Sequence, residues 1–117
     1  MIKTKRAYEQ PSADDGHRVL VDRLWPRGVS REEAGIDEWI KELAPSDDLR
    51  TWFGHDPQKW GTFRKRYRAE LQARAKRESM EALARKARQG TVTLVYGAKD
   101  EEHNNAEALK DFLQKIL

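Results

Sequence analysis

The 117-residue chain is 38% hydrophobic and 37% charged, with a net charge of +3, four tryptophans and no cysteine. A chain of this length holds one domain with one core, and the missing thiols exclude disulfides, thiol catalysis and cysteine-ligated metals. No apolar run approaches the roughly 20 residues of a membrane span, and Met1–Arg6 lacks a signal peptide's apolar stretch; a cytoplasmic protein without membrane contacts is expected.

In chain order, residues 2–7 read as a short strand whose lysines suit a sheet edge. Pro11 to Gly16 is a turn region, in which Ser12 and Asp15 have the spacing to cap one helical turn. Arg18 to Leu24 reads as a strand. Its Val19-Leu20-Val21 run is apolar on both faces, as buried parallel strands are. Ser30 and Glu33 have capping-box spacing and open a short helix that ends near Gly35. Ile36, Trp39, Ile40 and Leu43 are spaced as on a helix, yet the segment is short and bracketed by Gly35 and Pro45. Ser46 reads as the N-cap of a helix reaching Phe53, and Asp56-Pro57 opens the next.

Pro57 to Gln89 holds eleven Lys/Arg and three Glu, a net +8, which leaves −5 for the rest of the chain. Trp60, Phe63, Tyr67 and Leu71 form one apolar stripe; Met80, Leu83, Ala84 and Ala87 form another. At about 100° per residue the stripes point roughly 150° apart. One straight helix cannot bury both against one core, so the spacing predicts a break near Arg74–Glu78. Gly90 ends the second helix. Thr91 to Gly97 is the clearest buried strand, and Asn104 to Leu117 is a helix with Asn104 and Glu107 at capping spacing. Strands alternating with helices predict an α/β fold. The expectation is a single compact domain over residues 1–117, with a small, mainly parallel sheet of about four strands flanked by helices.

Parallel sheets bind ligands beyond the carboxyl ends of their strands. Two polar clusters lie where strands leave this sheet: Asp22, Arg23, Trp25 and Arg27 in "VDRLWPRG", and Lys99, Asp100, His103 and Asn104 after Tyr96. Arg27 follows a rigid Trp25-Pro26 turn and precedes Gly28; a guanidinium there suits a phosphate or carboxylate. With it, Arg23, Lys99, Asp100 and Asn104 are candidates for holding a small anion, such as a phosphate or nucleotide, near the start of the last helix. Histidine is the side chain suited to acid–base work at neutral pH, and Asp100 is placed to orient His103. Asp22 and His103 are therefore the candidates for proton transfer. Strand-end ion pairing and helix capping are the plain structural alternatives for these residues. If the protein is an enzyme, its chemistry is a hydrolysis or group transfer without a thiol. The rival is a non-enzymatic module that binds nucleic acid or an acidic protein through Arg64, Lys65, Arg66 and Arg68. His17, His55 and His103 lack metal-ligand spacing, and no glycine-rich phosphate loop occurs, so neither metal nor cofactor is expected.

The segments "RVLVDRLWPRG", "ELAPSDDLRTWFGHDPQKW", "FRKRYRAEL" and "VTLVYGAKDEEHNNAEAL" resemble the YeaO-like branch of the domain-of-unknown-function 488 family. The likeness runs from Ile2 to Leu113. In related branches the segment similar to Gly35–Ser46 reads as a strand after a helix. The resemblance thus implies a strand at Ile36–Lys41, against its periodicity. Some branches carry cysteines after the last strand, where this chain has Ala98 and His103-Asn104-Asn105. Their thiol chemistry does not carry over.

Overall fold

Four parallel strands form the sheet in the computed structural model, which describes residues 1–117. They are β1 (Ile2–Arg6), β2 (His17–Leu20), β3 (Glu38–Trp39) and β4 (Val92–Tyr96), in the spatial order β1-β4-β2-β3. The two apolar runs are central neighbours, with Val19 opposite Leu94 and Leu20 opposite Val95. Side chains alternate faces along a strand. Val19, Val21, Val92 and Leu94 enter a large core on one face, while Leu20 and Val95 join Ala7 on the other under Trp25, Ile36 and Trp39. Both faces are covered, which is why these strands are apolar throughout. The α/β expectation holds.

Strand β2 stops at Leu20 rather than at Leu24. The Val21 amide still donates to the Val95 carbonyl at 3.1 Å. At the next step the Asp22 carboxylate accepts from the Gly97 amide at 2.8 Å. A side chain thus takes the place of a ladder bond, and the chain leaves the sheet. Strand β1 lies at one edge, as its lysines suggested. At the other edge the strand expected over Ile36–Lys41 shortens to two residues, because a 3-10 turn at Lys41–Leu43 drives Leu43 into the core.

The helices are α1 (Arg31–Ala34), α2 (Asp47–Phe53), α3 (Trp60–Leu71), α4 (Arg77–Gln89) and α5 (Asn105–Ile116). Each expected cap forms. Ser46 Oγ accepts from the Leu49 amide at 3.2 Å and donates to Glu70 at 2.6 Å, so the cap of α2 also ties it to α3. The basic segment breaks as its phase requires, through a 3-10 turn at Arg74–Lys76. The break lets Phe63, Tyr67 and Leu71 share one core with Met80, Leu83, Ala84 and Ala87. Beneath the sheet's smaller cluster, Arg18 is 4% exposed, pairs with Asp15 and donates to the Ala34 carbonyl at 2.7 Å. No helix is long and apolar enough to cross a membrane.

Candidate functional site

Beyond the carboxyl ends of β2 and β4 the surface opens into a cavity of about 390 Å³. Asp22 lines it. One carboxylate oxygen accepts from the Gly97 amide at 2.8 Å and the other from Asn105 Nδ2 at 3.0 Å. Asn105 Nδ2 also donates to the Val21 carbonyl at 3.0 Å, and Trp39 Nε1 donates to the Asp22 carbonyl at 2.7 Å. Burial pushes the Asp22 carboxyl above its ordinary range, although Asn105, Gly97, His55 and Arg50 all pull it down. Gly97 is small for a reason: a Cβ there would stand 3.1 Å from Asp22 Oδ2.

The loop after β2 is held by aromatic donors. Trp25 Nε1 donates to the Val29 carbonyl at 2.6 Å, and the Tyr8 hydroxyl donates to the Arg27 carbonyl at 2.9 Å. Trp25 meets Trp39 edge-on at 5.4 Å. Gly28 takes the left-handed φ of 75° that closes the turn. The Arg27 backbone is fixed in this way; the residue lines the cavity, and its guanidinium makes no hydrogen bond or ion pair. Arg23 is partly committed: its Nε donates to the Pro45 carbonyl at 3.1 Å and lies 3.6 Å from Asp47. Arg50, from α2, lines the same cavity and reaches Asp47 only at 3.4 Å. His55 completes the polar wall from a left-handed backbone at φ 58°, an uncommon state for a residue with a side chain. Trp25, Phe53 and Phe63 supply apolar walls.

Of the residues singled out in the sequence, Asp22, Arg23, Arg27 and Asn104 line this cavity. Lys99, Asp100 and His103 stand outside its lining. Asp100 and His103 do pair, Nδ1 to Oδ2 at 2.9 Å, and Asp100 also accepts from the Glu102 and His103 amides. Those bonds, the Glu102 amide foremost, hold the Asp100 carboxyl below its usual range. The His103 ring packs edge-on against Trp60 at 5.4 Å. Lys99 is exposed. Asn104 is buried and caps α5, accepting from the Glu107 amide at 2.9 Å and donating to the Asp100 carbonyl at 2.9 Å.

The basic quartet of α3 does not share one face. Arg64 pairs with Asp111 at 3.0 Å, Arg66 lies 4.4 Å over the Trp52 ring, Lys65 is exposed, and Arg68 borders a separate groove. Consecutive helical residues diverge by about 100°, so such a run encircles the helix. Arg50, His55 and Asn105 belong to the cavity but did not stand out in the sequence. One signal was available: Ser46 fixes the phase of α2, and Arg50 and Phe53, three apart, then share a face.

A parallel sheet flanked by helices, with a cavity beyond the ends of its central strands, defines an α/β domain. The chain belongs to the DUF488 family: the family model described as the inactive DUF488-N3 subclade matches residues 1–117. It is similar to YeaO of Escherichia coli (strain K12), with 42% identity over 115 residues and 98% of each chain covered. It is 34% identical over 112 residues to Mb3100c of Mycobacterium bovis and to Rv3073c of Mycobacterium tuberculosis, covering 96% of this chain and 92% of theirs. No solved structure matches the chain.

Proposed function

We propose that the strand-end cavity binds a small phosphate-bearing anion of nucleotide size, and that the protein acts by holding it rather than transforming it. The observation that carries this is Arg27, a guanidinium with no partner beside a cavity that Arg23 and Arg50 also line. An unanswered guanidinium carried on a rigid turn is free to make a charge-assisted, bidentate contact. The cavity's volume of about 390 Å³ lies within the range of about 300–1,000 Å³ typical of small-molecule pockets. The phosphate would sit at the arginines. The neutral part would enter between Trp25 and Phe53, where Asp22 offers acceptor oxygens to hydroxyl or amino groups.

Binding without turnover is favoured by the family description, which names an inactive subclade. It is favoured also by the proton-transfer candidates, since Asp22 lines the cavity and His103 does not. The proposed setting is the cytoplasm, where phosphorylated small molecules are concentrated. The test is thermal unfolding against inorganic phosphate, nucleoside phosphates, sugar phosphates and the matching uncharged nucleosides. Phosphate-bearing compounds should raise Tm, and uncharged nucleosides should not, because a ligand of the native state adds stability. No shift with any phosphate would refute the proposal. Conversion of the ligand, abolished in Asp22→Asn, would make the protein a hydrolase or transferase instead.

A further inference from the structure

We infer that a second site, the basic groove between α3, α4 and α5, docks an acidic amphipathic helix from a partner protein. The groove has a volume of about 650 Å³ and shares no lining residue with the strand-end cavity. Its cations come from three helices: Arg68, Arg77, Arg85, Arg88 and Lys115. Glu81 is its one carboxylate. Three cations outside the groove have carboxylate partners, Arg18 with Asp15, Arg64 with Asp111 and Lys86 with Glu38. In the groove only Arg88 has a partner, and that is the Ile116 carbonyl at 2.8 Å. Five like charges around one concavity repel each other, and an anionic occupant relieves that repulsion.

The groove's shape and floor decide the kind of anion. Arg77, Arg85 and Arg88 follow one side of α4, and from Arg77 to Arg88 that side runs about 16 Å at 1.5 Å per residue, three turns of a partner helix. Between the charges lie Leu71, Met80, Phe112 and Ile116. Leu71, Met80 and Phe112 are only 5–8% exposed, so Ile116, at 44%, is the main apolar surface that a partner would cover. An exposed isoleucine inside a basic rim matches a helix with a narrow apolar face and carboxylates beside it. Single-stranded nucleic acid requires exposed aromatic rings for stacking, and the groove's one aromatic, Phe112, is 8% exposed.

The experiment is a fluorescence-anisotropy titration of the full chain with a synthetic helical peptide of about 18 residues, leucines at i, i+3, i+4 and i+7 and glutamates between them. Two comparison probes are used: the same composition shuffled so that the leucines share no face, and a single-stranded oligonucleotide of equal length. The peptide should bind in the micromolar range. Affinity should fall at least about tenfold in Arg77→Glu/Arg85→Glu and with the shuffled peptide, and should not change in Lys65→Glu. Circular dichroism checks the fold of each variant; all three positions are exposed, and Arg68→Glu/Arg85→Glu is the second test if the first pair unfolds. Tighter binding of the oligonucleotide, equal binding of the shuffled peptide, or an equal loss in Lys65→Glu would overturn the inference.

Discussion

Replacing Asp22 by Asn exchanges a carboxylate that accepts at both oxygens for an amide that accepts at one. Its partners are both donors, the Gly97 amide at 2.8 Å and Asn105 Nδ2 at 3.0 Å. Whichever way the new amide is turned, its NH2 faces an N–H. Asn105 could rotate to offer its oxygen, but it would then surrender the Val21 carbonyl that its Nδ2 also serves. One half-buried polar group is left without a protein partner in every arrangement, at a cost of about 1 kcal/mol, the low end for such a group. Loss of the desolvated charge offsets part of that cost at neutral pH. Burial raises the Asp22 carboxyl in the folded state above its ordinary 3.8. The stability tied to its proton is therefore full below pH 3.8 and is lost as pH rises through the folded value. The variant has no such titration. The gap between wild type and Asp22→Asn should be widest in acid and should narrow as pH rises. Urea unfolding of both proteins across a pH series reads this directly, and other titrating groups cancel in the difference. A gap that widens with pH would mean that the folded protein stabilises the Asp22 charge, and would refute the reasoning.

Arg27→Ala should weaken binding of a phosphate-bearing ligand by about 1.5–3 kcal/mol, read by calorimetric titration. It should change unfolding stability by less than about 0.5 kcal/mol, because the side chain is exposed and unpartnered. Gly97→Ala should push the Asp22 carboxylate aside, costing about 1–3 kcal/mol in thermal unfolding and lowering ligand affinity with it. Arg18→Met should cost about 1.5–3 kcal/mol in urea unfolding, since the buried Asp15 carboxylate loses one charged partner and keeps Lys5 and the Ser12 amide. Burial pushes Asp15 up, but the Ser12 amide, Lys5 and Arg18 outweigh it and hold the carboxyl below 3.8. Asp15 thus stabilises the fold above that pH, and wild type should lose this contribution as pH falls through the lowered value; Arg18→Met should lose less there.

Strands β2 and β4 were legible because each is an unbroken apolar run, buried on both faces. The break between α3 and α4 was legible because two apolar stripes on one helix cannot face one core. The early end of β2 was not legible. It depends on a bond from Asp22 to Gly97, 75 residues away, and no local pattern encodes it. Strand β3 kept helical spacing because Leu43 belongs to a 3-10 turn rather than to the strand. In the site, the first polar cluster faces the cavity because Trp25 and Tyr8 pin its loop. The second is half-absorbed into its own turn, where Asp100 caps two amides and holds His103. Arg50 and His55 arrive from α2 and the turn after it. Tertiary packing, which the sequence does not spell out, delivers them.

The most direct test of the central claim is backbone amide mapping by NMR during titration with a nucleoside monophosphate. Binding at the strand ends should shift Tyr8, Arg27, Gly28, His55, Gly97, Ala98 and Asn105 together, with one saturation curve. Shifts confined to Arg68, Arg77, Arg85 and Lys115 would place the anion in the basic groove and contradict the account, and so would a spectrum that does not change.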